Sequence, residues 1–568
     1  MVEFLELPRE LRDMIYEHYV VVQGGYVYDF ASNTLKGADG KPIHYTLLLT
    51  CKTIACEMKG LALGANVLHF STFYSDEHRT IAGRLDLIAD RQANHMGHKV
   101  SDLEIHQLLP RALILPDDLW EELHETHPRF QPYLTALKEG FGGPLGWPRE
   151  TNGEAPSAFR HFTRSVLKTV VRNQHRLDAE QFAHFDRVWY MQAPPRYLGS
   201  YNERLSTLEQ STNAKILGVN PALWDIPTSS EVEDMIGAMG KAVACDTFNC
   251  WHSDCGEKQS YPRKTGKHRY SAAAVAIRFL NSLPRDPRCS IRNIVLNEDR
   301  LGVAYAEAHG LGLIPHCKEN PRLRIERRVD MWRTVFRSTT LEDRPYDSES
   351  GGMYDYVISQ QVALWIMEAL ELEPAGMPPG SFSLVLDGDG MSGEAFRTVV
   401  QRDAIIQHAS ELLSERKVLP HLPYFTKRTK QSGVLTNWYV LEGFPQAIQN
   451  IVAGDSIVKC TFDVSHDWDL EQMAEQLIEQ NKHVTDWDDW NDEVWNSDER
   501  WEREFVPESP YPSFKEIIAE CTLDDYNHHW PEGVGQRTQE EMDNALRNTE
   551  FFGKCSANGE PPSLMDWK

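Results

Sequence analysis

The stretch SAAAVAIRFLNSLPRDPRCSIRNIVL, residues 271–296, sets the pattern for the second half of the chain. Its first part predicts a helix from Ser271 to Leu283, and Pro284 ends that helix because proline lacks the N–H donor. The β-branched residues of 291–296 then predict a strand. Further helices are predicted at 353–372, 394–417 and 445–452, and further strands at 381–386, 434–441 and 456–463. This alternation favours a sheet with helices packed on it, so the predicted fold class is mixed α and β.

The first hundred residues predict helices on either side of a hairpin. Residues 4–20 predict a turn and a helix, with Pro8 at the first helical position, where no N–H is needed. Alternating aromatic residues from Tyr26 to Phe30, followed by the tight-turn pair at 39–40, predict the hairpin. Residues 45–62 carry apolar side chains on one helical face, and a short strand is predicted after them.

Residues 100–240 predict mainly helices. Thr228 and Glu231 have the spacing of a capping box, which predicts a helix running to Met239. Residues 245–267 are polar and rich in helix breakers, which indicates a linker. No repeat of fixed period is found, so a leucine-rich solenoid is the less favoured architecture.

Charge is distributed unevenly over the 568 residues. The net charge is −26, and residues 463–568 alone hold 27 acidic and 8 basic residues. Residues 258–337 hold 17 basic and 7 acidic residues. The overall sign disfavours a general nucleic-acid binder, which needs a positive surface to neutralise phosphates.

The C-terminal residues are rich in tryptophan, with 7 of the chain's 15 after residue 463. A shared helical face is predicted for Trp487, Trp490, Val494, Trp501 and Phe505. Such a stripe can bury apolar surface, so we expect it to pack on the protein's own body. The acidic flanks would then face basic residues of the segment 322–328.

The most specific stretch is FLELPRELRDMIYE, residues 4–17, followed by LTCKTI at residues 49–54. It resembles fungal F-box-like proteins, which share a Leu-Pro-x-Glu-Leu-Arg pattern followed by Ile-Tyr. Segments at 271–280, 309–315 and 442–448 are similar to uncharacterised fungal proteins that carry this N-terminus, and they bring no known activity.

In F-box proteins these helices bind the ubiquitin-ligase adaptor Skp1. By that resemblance, Leu7, Pro8, Leu11 and Ile15 would make the contact, as a short apolar helix face that fills a groove of the partner. The chain departs from the compact module because residues 21–44 insert a hairpin between its two halves. The alternative is that Leu7, Leu11 and Ile15 pack against the following helix within one core.

Five units are predicted in chain order. They are an F-box-like module (1–100), a mainly helical region (101–244), a linker (245–267), an α/β domain (268–464) and an acidic, Trp-rich helical tail (465–568).

Two motifs have residues that could bind a metal, but for each of them an interpretation without a metal is favoured. Cys245, Cys250, His252 and Cys255 lie within eleven residues, but their spacing matches no common zinc pattern. The segment 387–390 begins like a calcium loop, yet the later ligand positions hold unsuitable residues. We expect no metal, no cofactor and no catalytic residue.

The sequence therefore predicts a protein-interaction adaptor that is cytoplasmic or nuclear and has no membrane helix. The F-box resemblance implies a substrate receptor of an SCF-type ubiquitin ligase. The alternative is a scaffold with an F-box-derived fold and no ligase role, and an enzyme with an unrecognised site is the third hypothesis.

Overall fold

The computed structural model describes residues 4–43, 45–104, 113–139, 153–186, 212–239, 266–337, 353–419, 439–465, 468–496, 503–521 and 523. Within these residues the strands are β1 (Tyr26–Asp29), β2 (Thr34–Gly37), β3 (Val67–Ser71), β4 (Asn293–Glu298), β5 (Arg324–Asp330), β6 (Met353–Tyr354), β7 (Phe382–Asp387), β8 (Val458–Cys460) and β9 (Glu504–Phe505).

The α-helices of the first half are α1 (Arg9–Val20), α2 (Lys52–Glu57), α3 (Leu61–Ala65), α4 (Asp76–Ser101), α5 (Asp117–Thr126), α6 (Gln131–Glu139), α7 (Pro156–Arg172), α8 (Ala179–Phe185), α9 (Asn213–Gly218) and α10 (Ser229–Met239). Those of the second half are α11 (Ala272–Ser282), α12 (Arg285–Ser290), α13 (Ile314–Glu319), α14 (Asp355–Leu370), α15 (Gly390–Ala395), α16 (Gln401–Glu415), α17 (Phe444–Ala453), α18 (Leu470–Gln480), α19 (Trp487–Trp490) and α20 (Phe514–Ala519).

Seven strands form one sheet in the order β2-β1-β3-β4-β5-β7-β8. The hairpin pair β1 and β2 is antiparallel, and every other neighbouring pair is parallel. The predicted mixed α and β class is thus confirmed. The sheet joins strands of the first hundred residues directly to those of the second half, because β3 pairs with β4.

The parallel strands from β3 to β8 step across the sheet in one direction. Parallel crossovers are almost always right-handed, so steps in one direction place the connecting helices on the same face of the sheet. Burial alternates accordingly. On the helix side, side chains such as Leu68, Ile294 and Ile325 are at most 2% exposed and share one core with α11, α14 and α17.

The opposite face, here called the open face, carries polar and charged side chains. One register row contains His69, Val295, Glu326 and Ser383; the next contains Asn297, Arg328, Val385 and Lys459; and Asn293 pairs with Arg324 at the amino end. All of these except Val385 are at least partly exposed. A sheet wound in one direction therefore leaves a polar face several strands wide.

Helix starts were the most predictable local feature. Ser271 caps α11, with its Oγ accepting from the Ala274 N–H at 3.0 Å. The predicted capping box starts α10, because the Thr228 N–H donates to Glu231 at 2.7 Å and the Glu231 N–H donates back at 3.3 Å. Residues 100–240 are mainly helical wherever they are described, and they enclose a separate apolar cluster between the end of α4 and α8.

Several predicted elements differ in detail. The β1–β2 hairpin turns at 30–33, where Asn33 has φ 51°, and the predicted tight turn at 39–40 follows β2, where the Gly37 N–H donates to the Lys41 carbonyl at 2.8 Å. The predicted helix 45–62 is broken into a 3-10 turn (Leu47–Leu49), α2 and α3, since Cys51 is extended and Gly60 is left-handed. The predicted helix 394–417 contains a π-helical turn (Phe396–Val400). Of the predicted strand 434–441, residues 439–441 form no strand and the rest lie outside the described residues.

The Trp-rich segment packs on the body of the protein as predicted. Trp487, Trp490 and Trp495 are at most 5% exposed and share a cluster with Ile406 and Leu413 of α16. The single-helix stripe was wrong, however, because Phe505 lies in strand β9 and pairs with β6. Trp501 lies outside the described residues.

Among the described residues, the expected contact between the acidic tail and the basic middle is formed by Glu520, which binds Arg300 at 2.7 Å and Arg333 at 3.4 Å, but it is not formed at Arg327 and Arg328. Arg327 is buried and binds Glu298 at 2.7 Å, and Arg328 binds Glu326 at 2.7 Å. Other acidic side chains of the tail pair outside the basic block, for example Glu475 with Arg416. The strand alternation decides this outcome, since it turns Arg327 into the core and Arg328 onto the open face.

Among the described helices, none combines the length and the apolar composition that crossing a bilayer requires.

Candidate partner-binding surface

The first helix is fixed at its start by a proline. Pro8 is the N-cap of α1, one position before the predicted one, and its carbonyl accepts the Leu11 and Arg12 N–H groups at 3.1 and 3.2 Å. The proline ring restricts φ, so the chain enters the helix in one direction. The 3-10 turn Phe4–Glu6 precedes it and sets Phe4 edge-on to Tyr16, with ring centroids 5.7 Å apart.

The inner face of α1 holds the helix against the protein. Tyr16 and Val20 are 0% and 5% exposed and form a small core with Ile54 and Met58. Under the alternative hypothesis, Leu11 and Ile15 would pack against the following helix. The structure places Tyr16 and Val20 in that contact instead. The helix is therefore anchored without using the residues that resemble a docking motif.

A charged triad reinforces this attachment. The Arg12 guanidinium donates to both oxygens of Glu57, from Nε at 3.0 Å and from Nη2 at 2.7 Å. The Tyr16 hydroxyl donates to the same carboxylate at 2.7 Å. The hydrogen bonds from Arg12 and then Tyr16 lower the pKa of Glu57 to about 2, so the carboxylate stays ionised at neutral pH. Sequence periodicity could not identify this triad, because Glu57 comes from a different helix.

The outer face of α1, formed by Leu11, Met14 and Ile15, is open to solvent. These side chains are 47%, 65% and 42% exposed, and their spacing of three and four residues places them on one side of the helix. Of the other predicted site residues, Pro8 is exposed and Leu7 is half-buried. The structure thus brings the predicted residues together at the surface.

A second exposed apolar group lies beside the end of α1. Leu49 is 82% exposed and Tyr45 is 53% exposed, both in or next to the 3-10 turn Leu47–Leu49. The Leu47 N–H donates to the Tyr19 hydroxyl at 3.3 Å, which ties this turn to the helix. Exposed apolar side chains grouped in this way are typical of protein-binding surfaces.

The charges around the outer face are mainly acidic. Glu6, Glu10 and Glu17 are exposed. The guanidinium of Arg12 is paired with Glu57, and that of Arg9 is paired with Asp13 at 2.7 Å. A partner that covers this surface therefore needs an apolar groove with a neutral or basic rim.

A buried serine–histidine pair resembles part of a catalytic site, but its surroundings do not allow catalysis. Ser271 Oγ lies 2.7 Å from His309 Nδ1, and His309 Nε2 donates to the Ala304 carbonyl at 2.9 Å. Both side chains are at most 1% exposed, and burial lowers the pKa of His309 to about 3. Glu298 is bound to Arg327 and to the first amides of α11. The pair caps a helix and is closed to any substrate.

A surface cleft of about 380 Å³ also lacks catalytic groups. It lies between α4, α10, α11 and the segment 220–227, and its lining includes Trp224, Asp225, Met235 and Arg278. Burial raises the pKa of Asp225, but no histidine, cysteine or serine lines the cleft beside it. A second carboxylate, Glu231, also lines the cleft, but it accepts the Thr228 N–H at 2.7 Å in the capping box of α10, and the described lining adds no nucleophile to these two acids.

The predicted metal motifs have two different outcomes. Asp389 of the segment 387–390 caps α15, accepting from the Ser392 N–H at 2.8 Å, and it also accepts from the Trp332 indole N–H at 3.0 Å. The group Cys245, Cys250, His252 and Cys255 lies outside the described residues. Within the described part of the chain, no three His, Cys, Asp or Glu side chains are grouped to hold a metal ion.

Comparison with family models, with curated proteins and with solved structures finds no match for the chain.

Proposed function

We propose that this chain is a protein-interaction adaptor that docks a partner on the outer face of α1. The proposal rests on the different roles of the two faces of this helix. Tyr16, Val20 and the Arg12–Glu57 pair attach α1 to the protein, while Leu11, Met14 and Ile15 remain exposed. Apolar side chains that are grouped and exposed in this way are typical of a surface that a partner protein covers.

The partner that we propose is Skp1, because the exposed residues are those that the F-box resemblance assigns to that contact. Full burial of a Leu, Ile or Met side chain is worth about 1.5–3 kcal/mol. Covering the three half-exposed side chains would therefore contribute on the order of 3 kcal/mol. Micromolar binding corresponds to about 8 kcal/mol, so Leu49 and the polar rim must contribute as well.

The test is binding of the full-length chain to purified Skp1, measured by interferometry. We expect Leu11→Asp and Met14→Asp each to weaken binding at least tenfold, because each places a charge where an apolar groove must close. Both positions are exposed, so the melting temperature should stay within a few degrees. The matched control is Val418→Asp, which adds the same charge at a site that is 59% exposed and far along the chain.

If wild-type protein does not bind Skp1 at micromolar concentration, the ligase role is excluded. If it binds and both variants bind equally well, the outer face of α1 is not the interface.

A scaffold without a ligase role is the second candidate, and one observation favours it. The hairpin inserted at 21–44 is built into the main sheet through the pairing of β1 with β3, so the F-box-like segment belongs to the body of the protein and is not a separate compact module. Under this alternative, the same α1 face binds a different protein, and the Skp1 measurement separates the two candidates.

A further inference from the structure

Three arginines at the amino-terminal edge of the open face have no acidic partner among the residues that the structure describes. Arg322 and Arg324 are exposed and Arg292 is half-buried. Among the described residues, no carboxylate oxygen lies within 4.0 Å of any of the three guanidinium groups, although the chain has 84 acidic and only 58 basic residues.

The backbone holds these arginines close together. Asn293 pairs with Arg324 in the β4–β5 ladder, and the Arg324 N–H donates to the Arg292 carbonyl at 2.7 Å. The turn before β5 is fixed by Asn320, whose side chain donates to the Ile291 carbonyl at 2.7 Å and accepts from the Arg322 N–H at 3.3 Å. The three residues therefore lie at the starts of two adjacent strands, and Asn320 ties the turn before β5 to the segment before β4.

Two of the guanidinium groups are oriented and still have donors to offer. Arg324 Nη1 donates to the Pro321 and Leu323 carbonyls at 2.8 and 2.9 Å, and Arg292 Nη1 donates to the Cys289 and Ile291 carbonyls at 2.9 and 3.2 Å. A guanidinium has five N–H donors, so Nε and Nη2 stay available on each. Burial, and then the charge of Arg322, lowers the pKa of Arg292.

The rest of the open face limits what this cluster can bind. Further along the same strands lie the carboxylates of Glu326, Asp330 and Asp387, with Arg328 already shared between the first and the last. A long polyanion such as a nucleic acid would meet these carboxylates and be repelled. A compact anion at the edge would meet only the arginines. Partly exposed Val295 and Val27 lie beyond the edge and offer apolar contact to a segment that continues over the face.

We propose that the amino-terminal edge of the open face binds a phosphorylated serine or threonine in a segment of a partner protein. A phosphoryl group carries close to two charges at neutral pH and three acceptor oxygens, and arginine forks match its geometry. The proposal extends the adaptor role by naming its second ligand and in that sense rests on it. Its site shares no residue with the outer face of α1.

The test uses the full-length chain and fluorescein-labelled nine-residue peptides with a central phosphoserine and degenerate flanks. We expect the phosphorylated pool to bind at least tenfold more tightly than the same pool with serine. Arg322→Gln and Arg324→Gln should each weaken that binding about tenfold. Arg172→Gln is the matched control, because it removes an exposed arginine that pairs with Glu122 in the helical region.

Each outcome decides the proposal. A phosphoserine preference below threefold, or Arg322→Gln and Arg324→Gln variants that both bind like the control, overturns it. Equal binding of a pool with glutamate in place of phosphoserine overturns phosphate recognition, and tighter binding of a twelve-nucleotide single strand overturns the peptide assignment. Leu11→Asp should bind the phosphopeptides normally, so failure here and failure at Skp1 are separate results.

Discussion

Replacing Trp490 with alanine tests how the C-terminal segment is attached. Trp490 is 1% exposed and packs against Ile406 and Ala409 of α16, and its indole N–H donates to Ser410 Oγ at 2.9 Å. Truncation of a buried tryptophan costs about 3–5 kcal/mol. No buried polar group is stranded, because the Ser410 hydroxyl still donates to the Ile406 carbonyl at 2.7 Å.

The expected consequence is local release of residues 468–496. Since each 1.4 kcal/mol is about a factor of ten, the open population should rise by on the order of 10²–10³. Proteolysis follows that population when closing is faster than cleavage. Limited digestion with mass-spectrometric mapping should therefore show much faster cleavage within this segment in Trp490→Ala than in wild-type protein.

The control tests the charged part of the same segment. His483 and Glu493 are 2.7 Å apart but 60% and 50% exposed, and such a pair is worth only ~0–1 kcal/mol. Glu493→Gln should therefore change the cleavage rate by no more than about fivefold. Equal cleavage in wild-type and Trp490→Ala protein would refute the docking of this segment through its tryptophans.

Two further predictions concern the sheet. Burial, with a smaller contribution from Asp387, raises the pKa of Asp330 to about 6, so the folded state holds this proton more tightly than the unfolded chain. The contribution of Asp330 to stability should therefore fall by about 2 kcal/mol as the pH rises from about 4 to 6, and Asp330→Asn should remove that fall in denaturant titrations at the two pH values. An unchanged slope in the variant would contradict this assignment. Gly25 has φ +70°, and a Cβ there would lie 2.3 Å from the carbonyl oxygen of Val67, whereas Gly40 has φ +78° and open space around it. Gly25→Ala should thus lower the melting temperature well beyond the effect of Gly40→Ala, which bears only the left-handed backbone cost of about 1–2 kcal/mol; equal shifts would show that the close approach to β3 is not rigid.

The proposals for α1 and for the arginine cluster differ in how far sequence alone could lead. Leu11 and Ile15 were identified from the F-box resemblance, and helical spacing placed them on one face. Their exposure could not be predicted, because it depends on Tyr16 and Val20 filling the contact with Ile54 and Met58 instead. The arginine cluster was not predicted, because the sequence does not show which basic residues lie side by side at the starts of adjacent strands. Its unpaired members follow from the register of β4 against β5.

The sequence by itself determined the local elements of this protein. Capping residues such as Ser271 and Thr228 fixed helix starts, Pro284 ended a helix, and apolar or β-branched runs marked the strands, because these effects act within a few residues. Tertiary structure alone decided the pairing of β3 with β4, more than two hundred residues apart along the chain, and the division of Arg327 and Arg328 between core and surface. The physical reason is that strand order and register depend on long-range backbone pairing and on which face is buried, and a shift of one residue exchanges the two faces of a strand.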